Sequence, residues 1–123
     1  MHELSVRTSF SSAHSLDGYE GPCSNMHGHN WDVEVFIRCR SLDEMGMVRD
    51  FRELKDIIKE VISGFDHRNL NELPCFSDRN PTAENIACLL FSMLSGKIND
   101  KRVKVSKVTV KESSKTGVSY WED

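Results

Sequence analysis

The sequence predicts an α+β fold in which two helices cover one face of a four-stranded antiparallel sheet. Three observations carry this reading of the 123-residue chain. Apolar and polar residues alternate near both ends, a helical spacing appears twice in the middle, and the connections are short. The resulting order is β-β-α-α-β-β, and tight links between neighbouring segments favour antiparallel pairing. With 38% hydrophobic and 28% charged residues, seven Gly and three Pro, the chain has a globular balance. It contains no repeat or linker-like stretch, so residues 1–123 read as a single domain.

Residues 2 to 14 form the first strand, because Leu4, Val6, Thr8 and Phe10 alternate with Glu3, Ser5, Arg7 and Ser9. Gly18, Gly21, Pro22 and Asn25 mark residues 15 to 26 as an irregular loop. A second strand starts at His27. It places Trp31, Val33, Val35 and Ile37 on one face and Asp32, Glu34 and Arg38 on the other, with Phe36 as an exception. Over residues 50 to 64 the period changes, and Leu54, Ile57, Ile58, Val61 and Ile62 make one helical stripe. Asp50 with Glu53 resembles a capping box, and Gly64 serves as a stop. Asn80-Pro81-Thr82 opens a second helix with Pro81 in its first turn. Its stripe is Ile86, Leu89, Leu90, Met93 and Leu94, and Gly96 ends it. Residues 103 to 112 and 116 to 122 read as strands around Ser113-Ser114-Lys115. Val103 and Val105 are out of phase with Val108 and Val110, which predicts a bulge or a change of face. Four strands cannot close a barrel, so the sheet edges need cover, and oligomerisation is one answer.

Charge excludes some functions. Sixteen Lys plus Arg against nineteen Asp plus Glu give a net charge of −3, without the basic excess of a nucleic-acid binder. No apolar run approaches the roughly 18 residues of a membrane span. Met1-His2-Glu3-Leu4-Ser5 lacks the basic and apolar stretches of a secretory signal. A cytoplasmic protein is expected, with Cys23, Cys39, Cys75 and Cys88 as reduced thiols. Cys39, Cys75 and Cys88 read as small structural fillers.

Histidines carry the chemistry. His27-Gly28-His29 begins a strand, where residues i and i+2 project to one side. His14 ends the preceding strand, and antiparallel pairing across the loop brings it beside them. Three neutral imidazoles on a sheet suit a first-row metal, with zinc the default, and leave a coordination position open. The same residues also fit ordinary histidines at strand ends. Cys23 fits either a fourth thiolate ligand, closing a structural site, or a reactive thiolate. Asp66-His67 fits a proton relay or a structural pair. Glu112 shares a face with Val108 and Val110. Partly buried there, it suits a ligand edge offering two N–H groups; exposed, it is a solvated strand end. The run Lys101, Arg102, Lys104, Lys107 and Lys111 reads first as a solvated strand face and second as a polyphosphate contact.

Six segments, in order, resemble the 6-pyruvoyltetrahydropterin synthase superfamily over almost the whole chain. They are Phe10-Ser11-Ser12-Ala13-His14, Cys23-Ser24-Asn25-Met26-His27-Gly28-His29-Asn30, Asp50-Phe51-Arg52-Glu53-Leu54-Lys55, Asp66-His67-Arg68-Asn69-Leu70-Asn71, Asn80-Pro81-Thr82-Ala83-Glu84-Asn85 and Val110-Lys111-Glu112. The resemblance implies that His14, His27 and His29 hold Zn2+, and that Cys23, Asp66 and His67 transfer protons. It implies Glu112 as the pterin anchor, with Thr82 and Glu84 as further pocket residues. It also implies the tunnelling fold: trimers close into a barrel, two trimers stack as a homohexamer, and active sites lie between subunits. Three residues separate Cys23 from His27, which is similar to the carboxytetrahydropterin-forming branch. Glu20 does not take the place of the cysteine, as a glutamate does in a third branch. The chemistry implied is a carbon–carbon lyase acting on 7,8-dihydroneopterin triphosphate. Its products would be 6-carboxy-5,6,7,8-tetrahydropterin, acetaldehyde and triphosphate, in queuosine (7-deazaguanine) synthesis. Transfer RNA would then enter through the pathway and not as a bound partner. A pyruvoyl-forming activity and a non-catalytic zinc-stabilised pterin-binding module are the competing readings.

Overall fold

A computed structural model describes residues 1–123. Strands β1 (His2–His14) and β2 (His27–Cys39) pair antiparallel over their full lengths, from His2 opposite Cys39 to His14 opposite His27. Helix α1 (Phe51–Ser63) follows, then β3 (Arg68–Asn69), helix α2 (Ala83–Ile98), β4 (Val103–Lys111) and β5 (Val118–Tyr120). The sheet order is β3-β1-β2-β4-β5. Both helices lie on one face, so the expected α+β class and layer arrangement hold.

The sheet has five strands where four were expected, and it is mixed. The addition, β3, is two residues long and pairs parallel to β1 at Ser12 and Ala13. Two residues cannot display an alternation, so no pattern in the sequence announces it. The last strand is also narrower than residues 116 to 122. Between β4 and β2 the register shifts at Phe36/Ile37, which leaves Ser106 as the extra residue of a bulge and explains the slipped valine phase. Phe36 breaks the β2 pattern because it lies on the outer face, under the Lys107 ammonium 4.3 Å from its ring centre.

The core lies between sheet and helices. Trp31, Val33, Val35, Ile37 and Cys39 face inward from β2, meeting Leu54, Ile58, Val61 and Ile62 of α1 and Ile86, Leu90 and Leu94 of α2. Each large aliphatic side chain buried there contributes roughly 1.5–3 kcal/mol of transfer free energy. Asp50 caps α1 by accepting from the Arg52 amide at 2.8 Å. The capping box is only half made, because Glu53 pairs with Arg49 at 2.6 Å instead of reaching back. Gly64 follows α1 in a right-handed conformation (φ −71°), so no left-handed stop is needed there.

Helix α2 differs from its expected limits at both ends. Thr82 is the cap, accepting from the Asn85 amide at 3.1 Å, and Pro81 lies just before it. The helix runs through Gly96 to Ile98, because Ile98 is buried in the core and Arg49 Nη1 donates to its carbonyl at 2.7 Å. Those contacts outweigh the cost of about 1 kcal/mol for an interior glycine. Its buried stripe includes Phe91, whereas Met93 faces outward. Arg49 thus ties the first turn of α1 to the last turn of α2.

Candidate active site and metal centre

Strand register assembles the histidines. Pairing of His14 with His27 sets their rings 4.5 Å apart, and His29, two residues on, stands 4.8 Å from His27 and 5.2 Å from His14. One nitrogen from each lies within 4.8 Å of the others. Local chain geometry then chooses which nitrogen faces inward. His14 Nδ1 lies 2.7 Å from the Pro81 carbonyl, and His27 Nδ1 lies 2.8 Å from the Asn25 carbonyl. A carbonyl only accepts, so each Nδ1 carries the proton and each Nε2 keeps a free lone pair. The buried Nε2 atoms of His14 and His29 have no hydrogen-bond partner. A buried orphan of this kind costs about 1–3 kcal/mol unless another group takes it up. Burial also lowers the His14 pKa, against the opposing pull of the Pro81 carbonyl, which keeps the ring neutral.

A metal ion fits these residues. One nitrogen of each ring converges on the same point, and hydrogen bonds to carbonyls fix two of the rings, as outer-sphere partners do in metal sites. Trp31 walls the cage, with its ring 4.9 Å from His14 and 5.2 Å from His29. Glu112 stands beside it: its carboxylate lies 3.5 Å from His29 Nε2, half-buried just beyond the end of β4.

The remaining expected site residues sit on loops and helix ends. Cys23 lies in a single 3-10 turn, Pro22–Ser24, within the loop before β2, and its carbonyl accepts from the Leu16 amide at 3.0 Å. It is half-buried and outside the cluster of metal-competent donors. Asp66 and His67 do face each other, with Nδ1 to Oδ1 at 3.0 Å. His67 has a positive φ of 56°, held by its amide, which donates to the Ser11 carbonyl. Asp66 Oδ1 also accepts from the Ser11 amide at 2.9 Å, and that bond, followed by the His67 contact, lowers its pKa. The pair flanks β1 at Ser11, three residues and about 10 Å along the strand from His14. No hydrogen bond joins Cys23 to Asp66 or His67 within the chain. The Thr82 hydroxyl is engaged as the α2 cap, and Glu84 is exposed in the first turn.

Several positioning groups escaped the sequence reading. The carbonyls of Pro81 and Asn25 orient histidines, and a backbone carbonyl leaves no trace in residue type. Asn71 clamps Ser15 by accepting from its amide at 2.8 Å and donating to its carbonyl at 3.0 Å. Asn80 does the same for Asp17, at 3.0 and 2.9 Å. Each side-chain amide copies a strand partner and fixes the start of the loop that carries Cys23. Asn80-Pro81-Thr82 was legible as the opening of a helix; the clamp was not.

Fold and site together define a chain that holds three convergent imidazoles on a sheet with one carboxylate, Glu112, beside them. Comparison with known proteins gives this class its family. Residues 3–123 match the family described as 6-pyruvoyl tetrahydropterin synthase. The chain is 45% identical over 105 residues to an Archaeoglobus fulgidus protein provisionally named 6-carboxy-5,6,7,8-tetrahydropterin synthase, covering 85% of this chain and 86% of that one. It is 31% identical over 144 aligned positions to the Haemophilus influenzae 6-carboxy-5,6,7,8-tetrahydropterin synthase, covering 99% and 100%. The solved Caenorhabditis elegans 6-pyruvoyl tetrahydropterin synthase superposes with a TM-score of 0.89 at 30% identity, covering 99% of this chain and 96% of that one. The chain belongs to the 6-pyruvoyl tetrahydropterin synthase family and is a pterin lyase. No helix is long and apolar enough to cross a membrane.

Proposed function

We propose that this chain is a zinc-dependent 6-carboxy-5,6,7,8-tetrahydropterin synthase. It converts 7,8-dihydroneopterin triphosphate and water to 6-carboxy-5,6,7,8-tetrahydropterin, acetaldehyde and triphosphate, and so supplies queuosine (7-deazaguanine) synthesis in the cytoplasm. The observation that carries the reading is the convergence of three imidazoles, two of which, His14 and His29, hold buried Nε2 atoms with no hydrogen-bond partner. The names of the Archaeoglobus and Haemophilus relatives support the carboxy-forming branch.

His14, His27 and His29 hold the ion. When bound, zinc supplies Lewis-acid polarisation of the substrate's side-chain oxygens. Cys23 as thiolate takes a proton from the substrate side chain. Asp66 accepts from His67 Nδ1–H, which leaves Nε2 of His67 free to receive and return a proton. Glu112 anchors the pterin through its N–H edge, beside His29, with Thr82 and Glu84 completing the pocket. The whole of residues 1–123 acts as one domain of this family.

The assembly we propose is a homohexamer of two stacked trimers. Two observations support it: the sheet ends in edge strands of two and three residues, and no hydrogen bond joins the Asp66–His67 pair to Cys23 of its own chain. A site between subunits brings one chain's pair to another chain's cage.

Incubating the zinc-loaded protein with 7,8-dihydroneopterin triphosphate tests the reading. The expected products by mass are 6-carboxytetrahydropterin and acetaldehyde in equal amounts. A 6-pyruvoyl product without acetaldehyde would establish the second reading, the activity named in the Caenorhabditis relative. No turnover with a closed four-ligand metal shell would establish a binding module, with Cys23 as the fourth ligand.

A further inference from the structure

Helix α2 opens without a capping box. Thr82 is its cap, and Asn85 stands three positions on, where a capping box places a glutamate or glutamine that accepts from the backbone N–H of the cap residue. Asn85 makes two other bonds. Its backbone N–H donates to the Thr82 hydroxyl at 3.1 Å, while its side chain passes the cap and meets the Asn80 carbonyl at 2.8 Å. A carbonyl only accepts, so the atom facing it is the donor Nδ2. A carboxylate at this position could complete a capping box but could not make that bond.

These bonds grip the turn on either side of Pro81. Proline has a fixed φ and no N–H, so it cannot anchor itself, and its carbonyl points where the neighbouring residues hold it. Asn85 holds the residue before through the Asn80 carbonyl and the residue after through the Thr82 hydroxyl. Pro81 is buried between them, and its carbonyl meets His14 Nδ1 at 2.7 Å. That contact keeps the proton on Nδ1 and leaves the buried Nε2 of His14 among the converging donors, with no hydrogen-bond partner. The turn is tied from its other side as well, because the Asn80 side chain pairs with both backbone groups of Asp17 at 3.0 and 2.9 Å. Every one of these bonds lies within one chain, so none waits on a neighbouring subunit.

We propose that Asn85 is a positioning residue for the metal: by donating to the Asn80 carbonyl it holds the turn whose Pro81 carbonyl sets the tautomer and ring orientation of His14. It acts through the backbone and is not itself a ligand. The proposal rests on the metal reading of the three histidines and extends their support to the first turn of α2.

Zinc affinity of the full chain, measured by competition with a chromophoric chelator, tests it. N85A and N85D are each expected to weaken zinc binding about 10–100-fold, the usual worth of an outer-sphere partner. N85D is the sharper of the two, because an acid in the first turn favours the helix while the donor is lost. The visible spectrum of bound cobalt(II), which reports ligand geometry, is expected to change in both variants. D50A removes the cap of α1 instead, and it is expected to lower the thermal midpoint with zinc affinity and cobalt spectrum like the parent's. Parental zinc affinity in N85A and N85D, or a loss in D50A as large as theirs, would overturn the proposal and leave the histidines a metal site. A parent chain that binds no zinc would overturn the metal reading itself, and this proposal with it.

Discussion

The three-histidine cage and the Cys23–Asp66–His67 group are built by opposite means. Histidines of the cage stand on two paired strands, one of them fully buried, with two rings fixed by carbonyls. The other group stands on loops: Cys23 in a single turn, and His67 with 83% of its side chain exposed. One chain completes the cage, while nothing within that chain joins Cys23 to the Asp66–His67 pair. The contrast separates what one folded chain brings together from what it leaves apart.

The largest effects come from exchanging single members of the two sets. H27A is expected to lose the metal, falling from about one ion per chain to near none by elemental analysis, and to lose turnover entirely. C23A is expected to keep the metal while turnover drops by about 10²–10⁴-fold, the usual worth of a proton-transfer group. Metal loss in C23A would move Cys23 into the cage and dissolve the distinction. Next in size is complementation. H27A and H67A subunits, each inactive alone, are expected to recover about a quarter of parental activity when refolded together at equal ratio, because random neighbours then build intact shared sites. No recovery would place both sets in one chain. Substitution E112Q is expected to raise KM about tenfold with metal content unchanged, by loss of a charged hydrogen-bonding partner; an unchanged KM would remove the anchor role.

The smallest effect concerns pH. The Ser11 amide holds the Asp66 pKa below its ordinary 3.8, so the unfolded chain binds this proton more readily than the folded one. The stabilisation is therefore present above about pH 4 and is lost as pH falls through the lower folded value. Urea midpoints of the parent and D66N are expected to differ most near neutrality and to converge as the solution is acidified below the ordinary carboxylate range. A difference that grows on acidification would reverse the sign.

Much of this was legible because strand periodicity is strict. Once β1 and β2 were read as extended, register alone placed His14 beside His27 and His29, and the slipped valines announced the bulge at Ser106. Helix limits were less legible. Gly96 reads as a stop, yet burial of Ile98 two residues later decides the matter. The two-residue β3 was invisible because its pairing is made by backbone alone. The clamps by Asn71 and Asn80 were hidden for a related reason: an asparagine reads as a turn former, and its partner more than fifty residues away is set only by the folded chain.

Those two clamps bear on how this site could be altered. Asn71 and Asn80 pin Ser15 and Asp17, and strand pairing resumes at His27. Between them the backbone passes through Gly18 and Gly21 at φ of 83° and 145°, conformations that glycine, lacking a Cβ, adopts without the strain other residues would bear. Only the part around Gly18 to Gly21 is free of site groups, because Cys23 and the Asn25 carbonyl that orients His27 follow it. Loop closure grows only slowly more costly with length, so residues inserted between Gly18 and Gly21 would reshape the approach to the cage while leaving the Asn25 carbonyl on His27.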